Sequence, residues 1–119
     1  MKRIVIFASG SGSNAENIIS FFREKPGITV AAVLTNKNSA KVLERCDRLG
    51  VPAFYFNKSA FKDSDAVVNF SQGLNTDLIV LAGFLWKIPS NLIEAFPNKI
   101  INIHPCLLYT SPSPRDRTR

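Results

Sequence analysis

Short apolar runs alternate along this chain with stretches whose apolar residues recur at helical spacing, and few folds accommodate that alternation. Residues 3–8 (RIVIFA), 28–35 (ITVAAVLT), 53–56, 77–82 (DLIVLA) and 99–104 (KIINIH) read as strands. Between them Ala15, Ile18, Ile19 and Phe22 fall at i, i+3, i+4 and i+7. Val42, Cys46 and Leu49 form a second stripe, Val67, Phe70 and Leu74 a third, and Leu92, Ile93 and Phe96 mark a short helix over 89–96. The punctuation agrees. Ser13 and Glu16 fit an S-x-x-E capping box, and Pro26-Gly27 stops that helix. Ser39 opens the second helix, Gly50 and Pro52 close it, and Asp63 or Ser64 caps the third. Strand and helix in alternation predict parallel βαβ units, hence an α/β protein with an open, doubly wound, mostly parallel sheet. Near-continuous apolar strands fit a sheet covered on both faces. On this reading Cys46 is a core residue and not a nucleophile.

A chain of 119 residues suits one domain. With 45% apolar and 20% charged residues it is neither disordered nor collagen-like. The longest apolar run, residues 78–86, falls well short of the ~20 residues of a membrane-spanning helix. Residues 4–8 are too few for a secretory signal. Cys46 and Cys106 make no disulfide framework, and no Cys/His spacing suggests a metal, so a cytoplasmic location is expected. The net charge is +6, of which +4 lies in residues 1–105 and +2 in residues 106–119. That balance suits an anionic small substrate as well as a polyanion. Beyond Pro105 the character changes. Residues 109–119 have no periodicity and read as a disordered tail. Residues 106–116 (CLLYTSPSPRD) are also what a common transposon-type sequencing adapter encodes when read in frame. The expectation is a gene cut at or soon after codon 105, with residues 106–119 non-native and excluded from fold reasoning.

Ligands of open α/β sheets bind outside the carboxyl ends of the strands. Three unusual segments fall at such ends: residues 9–14 (SGSGSN), 83–87 (GFLWK) and 102–105 (NIHP). The first runs from a strand into a helix N-terminus. Glycines let its backbone approach a ligand, and free N–H groups with the helix dipole favour a phosphate. The other possibility is a tight turn with no ligand. Residues 10–15 also satisfy G-x-G-x-x-A, but the acidic residue that a dinucleotide ribose requires is replaced by Thr35-Asn36-Lys37. In the third segment His104 can exchange a proton and Asn102, two residues earlier, falls on the same side by period-two alternation. Such a pair suits acyl transfer, with the amide donating to an oxyanion. Spacing alone leaves His104 open between a structural and a catalytic role. No nucleophile elbow accompanies it. In the second segment Phe84 and Trp86 favour a core reading over a pocket wall.

Together IVIFASGSGSN (residues 4–14), LTNK (34–37), LAGFLWKIP (81–89) and INIHP (101–105) resemble the phosphoribosylglycinamide formyltransferase family across essentially all of residues 1–105. The resemblance implies a Rossmann-like formyltransferase fold, with residues 1–105 its N-terminal nucleotide-binding part. It implies transfer of a formyl group from 10-formyltetrahydrofolate to the amine of glycinamide ribonucleotide, in purine biosynthesis. It places the ribonucleotide phosphate on Gly12, Ser13 and Asn14, and the folate co-substrate on Leu85, Trp86, Lys87 and Ile88, largely through backbone contacts. Asn102 would stabilise the oxyanion and touch the formyl donor, and His104 would be the general acid. The partners implied are these two small anionic molecules, with no metal, nucleic acid or membrane, and the oligomeric state is left open. The family has a further basic folate contact near the third helix, where this chain offers only Lys62 close by. Family members are longer, and the part beyond carries an aspartate that tunes the histidine, so the 119-residue chain by itself is expected to be inactive.

Other readings compete. A formyltetrahydrofolate deformylase shares the motifs but carries a regulatory domain before them, whereas strand one begins here two residues after Met1. An NAD(P)-binding module lacks its acidic residue, and a basic nucleic-acid binder rests on net charge alone.

Overall fold

The computed structural model describes residues 2–9, 12–37 and 41–103. The expected roles of Gly10, Ser11, Ser39, His104 and residues 105–119 lie outside the described residues. Five strands, β1 (Lys2–Ala8), β2 (Ile28–Thr35), β3 (Ala53–Tyr55), β4 (Leu78–Ala82) and β5 (Ile100–Ile103), form one sheet in the order β3-β2-β1-β4-β5. Every pairing is parallel. The helices are α1 (Ser13–Arg23), α2 (Lys41–Leu49), α3 (Ala66–Gly73) and α4 (Ser90–Ala95), with one π-helical turn at Ser59–Asp63. This is the doubly wound α/β architecture that the alternation predicts. The strand order reverses at β1, which pairs with β2 on one side and β4 on the other.

Period-two alternation divides β1 between two cores. Val5 and Phe7 join Leu34, Ile79 and Leu81 on the face covered by α3 and α4. Ile4, Ile6 and Ala8 join Val33, Val80 and Ala82 on the face covered by α1 and α2. Such a strand has no polar side, which is why its sequence reads as an unbroken apolar run. The first core is rich in aromatic rings. Phe56 stacks on Phe61 at 5.0 Å between centroids, and Phe84 meets Phe7 edge-on at 5.4 Å. Cys46 is buried in the second core, as expected.

Several local expectations are corrected. Ser13 does not cap α1: it is the helix's first residue, and the capping position belongs to Gly12, with φ +83° and no side-chain cap. Glu16 turns instead to α2, where its Oε1 accepts from Arg45 Nη1 at 2.5 Å and from Arg48 Nη2 at 3.2 Å. Two guanidinium groups outcompete the single backbone N–H that a capping box offers the carboxylate, because hydrogen bonds between charged groups are the stronger ones. Neither Asp63 nor Ser64 sits at the cap of α3. Asp65 does, while Ser64 Oγ accepts from Ala66 N at 3.2 Å. The buried residues of α3 are Val67, Val68 and Ser71, and Phe70 lies exposed against Phe54. Ile93 on α4 is also exposed, whereas Leu92 and Phe96 are buried.

Burial pushes the Cys46 thiol up to about 11, so at neutral pH it carries almost no thiolate. In a Cys106→Ser background, Cys46 is expected to react with an aromatic disulfide reagent only as fast as the chain unfolds, and at once in urea. Rapid labelling of the folded chain would contradict this packing.

Candidate active site

At the carboxyl edge of the sheet, β1, β4 and β5 end side by side. The first turn of α1 begins there. Glu16 N–H makes its first intrahelical bond, to Gly12 O at 2.8 Å, so Ser13, Asn14 and Ala15 have amides with no acceptor inside the helix. Among the described residues no side chain caps them. Unclaimed amides at a positive helix end form an anion cradle. Gly12 is required twice over. Its φ is +83°, and a Cβ added there would lie 2.6 Å from Val42 Cβ on α2.

The loop after β4 is tied to the end of β1. Leu85 N–H donates to Ser9 Oγ at 2.9 Å, and Ser9 is itself buried. Asn14 Nδ2 lies 3.6 Å from where a Cβ of Gly83 would be, and Gly83 also has positive φ, +71°. The phosphate-type turn and the apolar loop therefore meet across the reversal in strand order, where such sheets form their binding crevice. Asn102 is paired with Leu81 in register and lies exposed on β5. Side chains of register partners share a sheet face, so Asn102 belongs to the face that Phe84 and Trp86 cover.

Within the loop, the expected residues separate. Phe84 and Trp86 pack against the first core, Trp86 lying 5.7 Å from Phe61 and 6.1 Å from Phe56 between ring centroids. Leu85 is 73% exposed, and Lys87 is exposed. Ile88 is partly buried against the core and lines a cavity of about 350 Å³ with Lys62, Lys87, Pro89, Ser90 and Ile93. The structure thus places Lys62 and Lys87 on the wall of one cavity, which sequence spacing does not reveal. Ser9 belongs to the glycine-rich segment read from the sequence, but its tie to the loop after β4 has no sequence signal beyond a small hydroxyl residue closing an apolar strand. Asn36, read in sequence only as part of the LTNK motif, is a buried amide beyond β2 whose polar atoms have no partner among the described residues. A cavity of about 410 Å³ lies at the opposite end of the sheet, around Arg23, Lys25 and Thr29. A groove of about 470 Å³ lies along β3, lined by Phe54, Tyr55 and Phe70. Neither contains a residue of the crevice. Among the described residues no three His, Cys, Asp or Glu side chains cluster as metal ligands, and no helix is long and apolar enough to cross a membrane.

The profile of the formyl transferase family matches residues 2–110. The chain belongs to that family. It is 40% identical to the phosphoribosylglycinamide formyltransferase of Bacillus subtilis, over 94% of this chain and 60% of that protein. Its identity to the Haemophilus influenzae protein of the same name is 34%, over 91% of this chain and 53% of that one. The chain thus spans between half and two-thirds of these relatives' length. The crystal structure of glycinamide ribonucleotide transformylase 1 from Geobacillus kaustophilus superposes with a TM-score of 0.82 at 38% identity, over 94% of this chain and 62% of that one. That of the Symbiobacterium toebii enzyme superposes at 0.81, with 35% identity, over 87% of this chain and 51% of that one. The Rossmann-like formyltransferase fold implied by the motifs is therefore the fold of this chain.

Ser9 links the end of β1 to the loop after β4, so Ser9→Ala is expected to cost about 1 kcal/mol of stability. It is also expected to speed hydrogen exchange at the Leu85 amide. Urea unfolding together with amide exchange measures both, and an unchanged Leu85 rate would show that the link does not hold the loop.

Proposed function

We propose that the crevice serves the transfer of a formyl group from 10-formyltetrahydrofolate to the amine of glycinamide ribonucleotide, a step of purine biosynthesis. The observation that carries this reading is the meeting of an uncapped, glycine-led helix start with an apolar loop flanked by two lysines, across the β1–β4 junction. The free amides of Ser13 and Asn14, with Gly12 opening the turn, would hold the ribonucleotide phosphate. The backbone of residues 85–88 would receive the flat ring system of the folate. Lys62 and Lys87 would face its anionic tail, a role that sequence spacing leaves unassigned. The substrate amine would form a bond to the formyl carbon as the bond to the folate nitrogen breaks. Asn102 would donate to the oxygen that gains charge, and His104 would carry the amine's proton to the departing nitrogen. Cationic and N–H donor groups at the crevice support this reading, since both ligands are anionic. This reading makes the chain's partners small molecules, its location the cytoplasm and its chemistry free of metal. The relatives' shared name favours it over a deformylase or an NAD(P)-binding module.

Trp86 is the one tryptophan, so its fluorescence reports on the loop directly. Titration with a formyl folate is expected to give a saturable change, weakened about two- to fivefold by Lys62→Ala or Lys87→Ala, the size of an exposed ion pair. A flat titration, or lysine variants that bind like the original, would count against the pocket.

We further propose that residues 1–105 are the N-terminal part of the domain and that residues 106–119 are translated adapter. Sequencing the source DNA across codon 105 with a different adapter chemistry is expected to show an open frame that continues and encodes an aspartate. A stop codon directly after Arg119 would refute this.

A further inference from the structure

We propose that Glu16 is a positioning residue for the anion turn: through Arg45, and secondarily Arg48, it seats α2 and Val42 against Gly12 and so fixes where the free amides point. The proposal rests on the reading that residues 12–14 bind a phosphate ester. Two contacts one helical turn apart join the starts of α1 and α2. Gly12 meets Val42, so closely that no Cβ would fit, and Glu16 meets Arg45. Gly12 and Glu16 are themselves joined by the first backbone hydrogen bond of α1, and Val42 and Arg45 are i and i+3 on α2. Val42 is fully buried and has no polar group that could orient it. The direction of the contact must come from its neighbours, and the Glu16–Arg45 pair is the directional one.

The charges support the same assignment. An unpaired carboxylate in the first turn of an anion-binding helix would repel the ligand. Here Arg45, and then Arg48, hold the Glu16 carboxyl below its ordinary range and draw its charge toward α2. The Arg45 side chain is 33% exposed and that of Arg48 59%, which makes Arg45 the main partner. A control exists on the same two helices. Arg23 Nη2 donates to Leu49 O, joining their far ends, away from the crevice.

The test is a titration of the full 119-residue chain with ribose 5-phosphate, followed at the amides of Gly12, Ser13 and Asn14 by NMR. Glu16→Ala is expected to weaken binding about fivefold or more and to shift the Gly12 amide before ligand is added. Arg45→Ala is expected to weaken it further, because the carboxylate is then left beside the anion. Glu16→Gln keeps the acceptor oxygen and is expected to recover most of the affinity. Arg23→Ala is expected to lower the melting temperature with affinity unchanged. If Glu16→Ala fails to fold, Arg48→Ala supplies a smaller loss in the same direction. Tighter binding by Glu16→Ala, or an equal loss in Arg23→Ala, would overturn the proposal. Absence of any saturable shift in the unaltered chain would remove the phosphate reading itself.

Discussion

Strand β1 is paired along both edges and buried on both faces, and everything at the crevice is positioned by that fact. A strand in such a place cannot move without disturbing both cores, so its carboxyl end is a fixed point. Ser9 emerges from that point and holds the β4 loop, and Gly12 follows and opens α1. Reversal of strand order at β1 then leaves the gap in which a ligand can sit, since the chain crosses to opposite faces of the sheet on either side of it. Fold and site share a cause here: the strand that organises the two cores also supplies the turn.

The strands were legible because each is a dense apolar run, and a parallel sheet covered on both faces demands nothing subtler. Helix faces were legible where a stripe met the sheet squarely, as with Ile19 and Val42. They were misread where a short helix meets it at an edge: Phe70 satisfies helical spacing with Val67 and Leu74, yet it finds Phe54 at the surface while Val68 and Ser71 turn inward. The capping box failed for a different reason. A local pattern describes one partner for Glu16, whereas α2 supplies two guanidinium groups from far along the chain. Lys62 and Lys87, 25 positions apart in the sequence, line one cavity for the same kind of reason. Motif residues of the crevice were readable in one dimension because strand ends announce themselves. The residues that brace them come from tertiary contact and leave no such pattern.

Charge placement ties the two levels together. The described edge offers amide dipoles at α1 and ammonium groups at Lys62 and Lys87, separated by the apolar loop. In the proposed function, that spacing of two regions around a hydrophobic strip would suit a pair of anionic small molecules brought together. Family membership and the high structural similarity to the Geobacillus kaustophilus enzyme agree with this architecture.

The central claim is that the β1–β4 junction is where ligand binds. Amide hydrogen exchange of the chain with and without glycinamide ribonucleotide tests it most directly. We expect slowed exchange at Ser13 and Asn14, with no change around Phe54 and Tyr55 or at the sheet's far end near Gly27. Protection confined to the β3 groove, or to the far end, would contradict it.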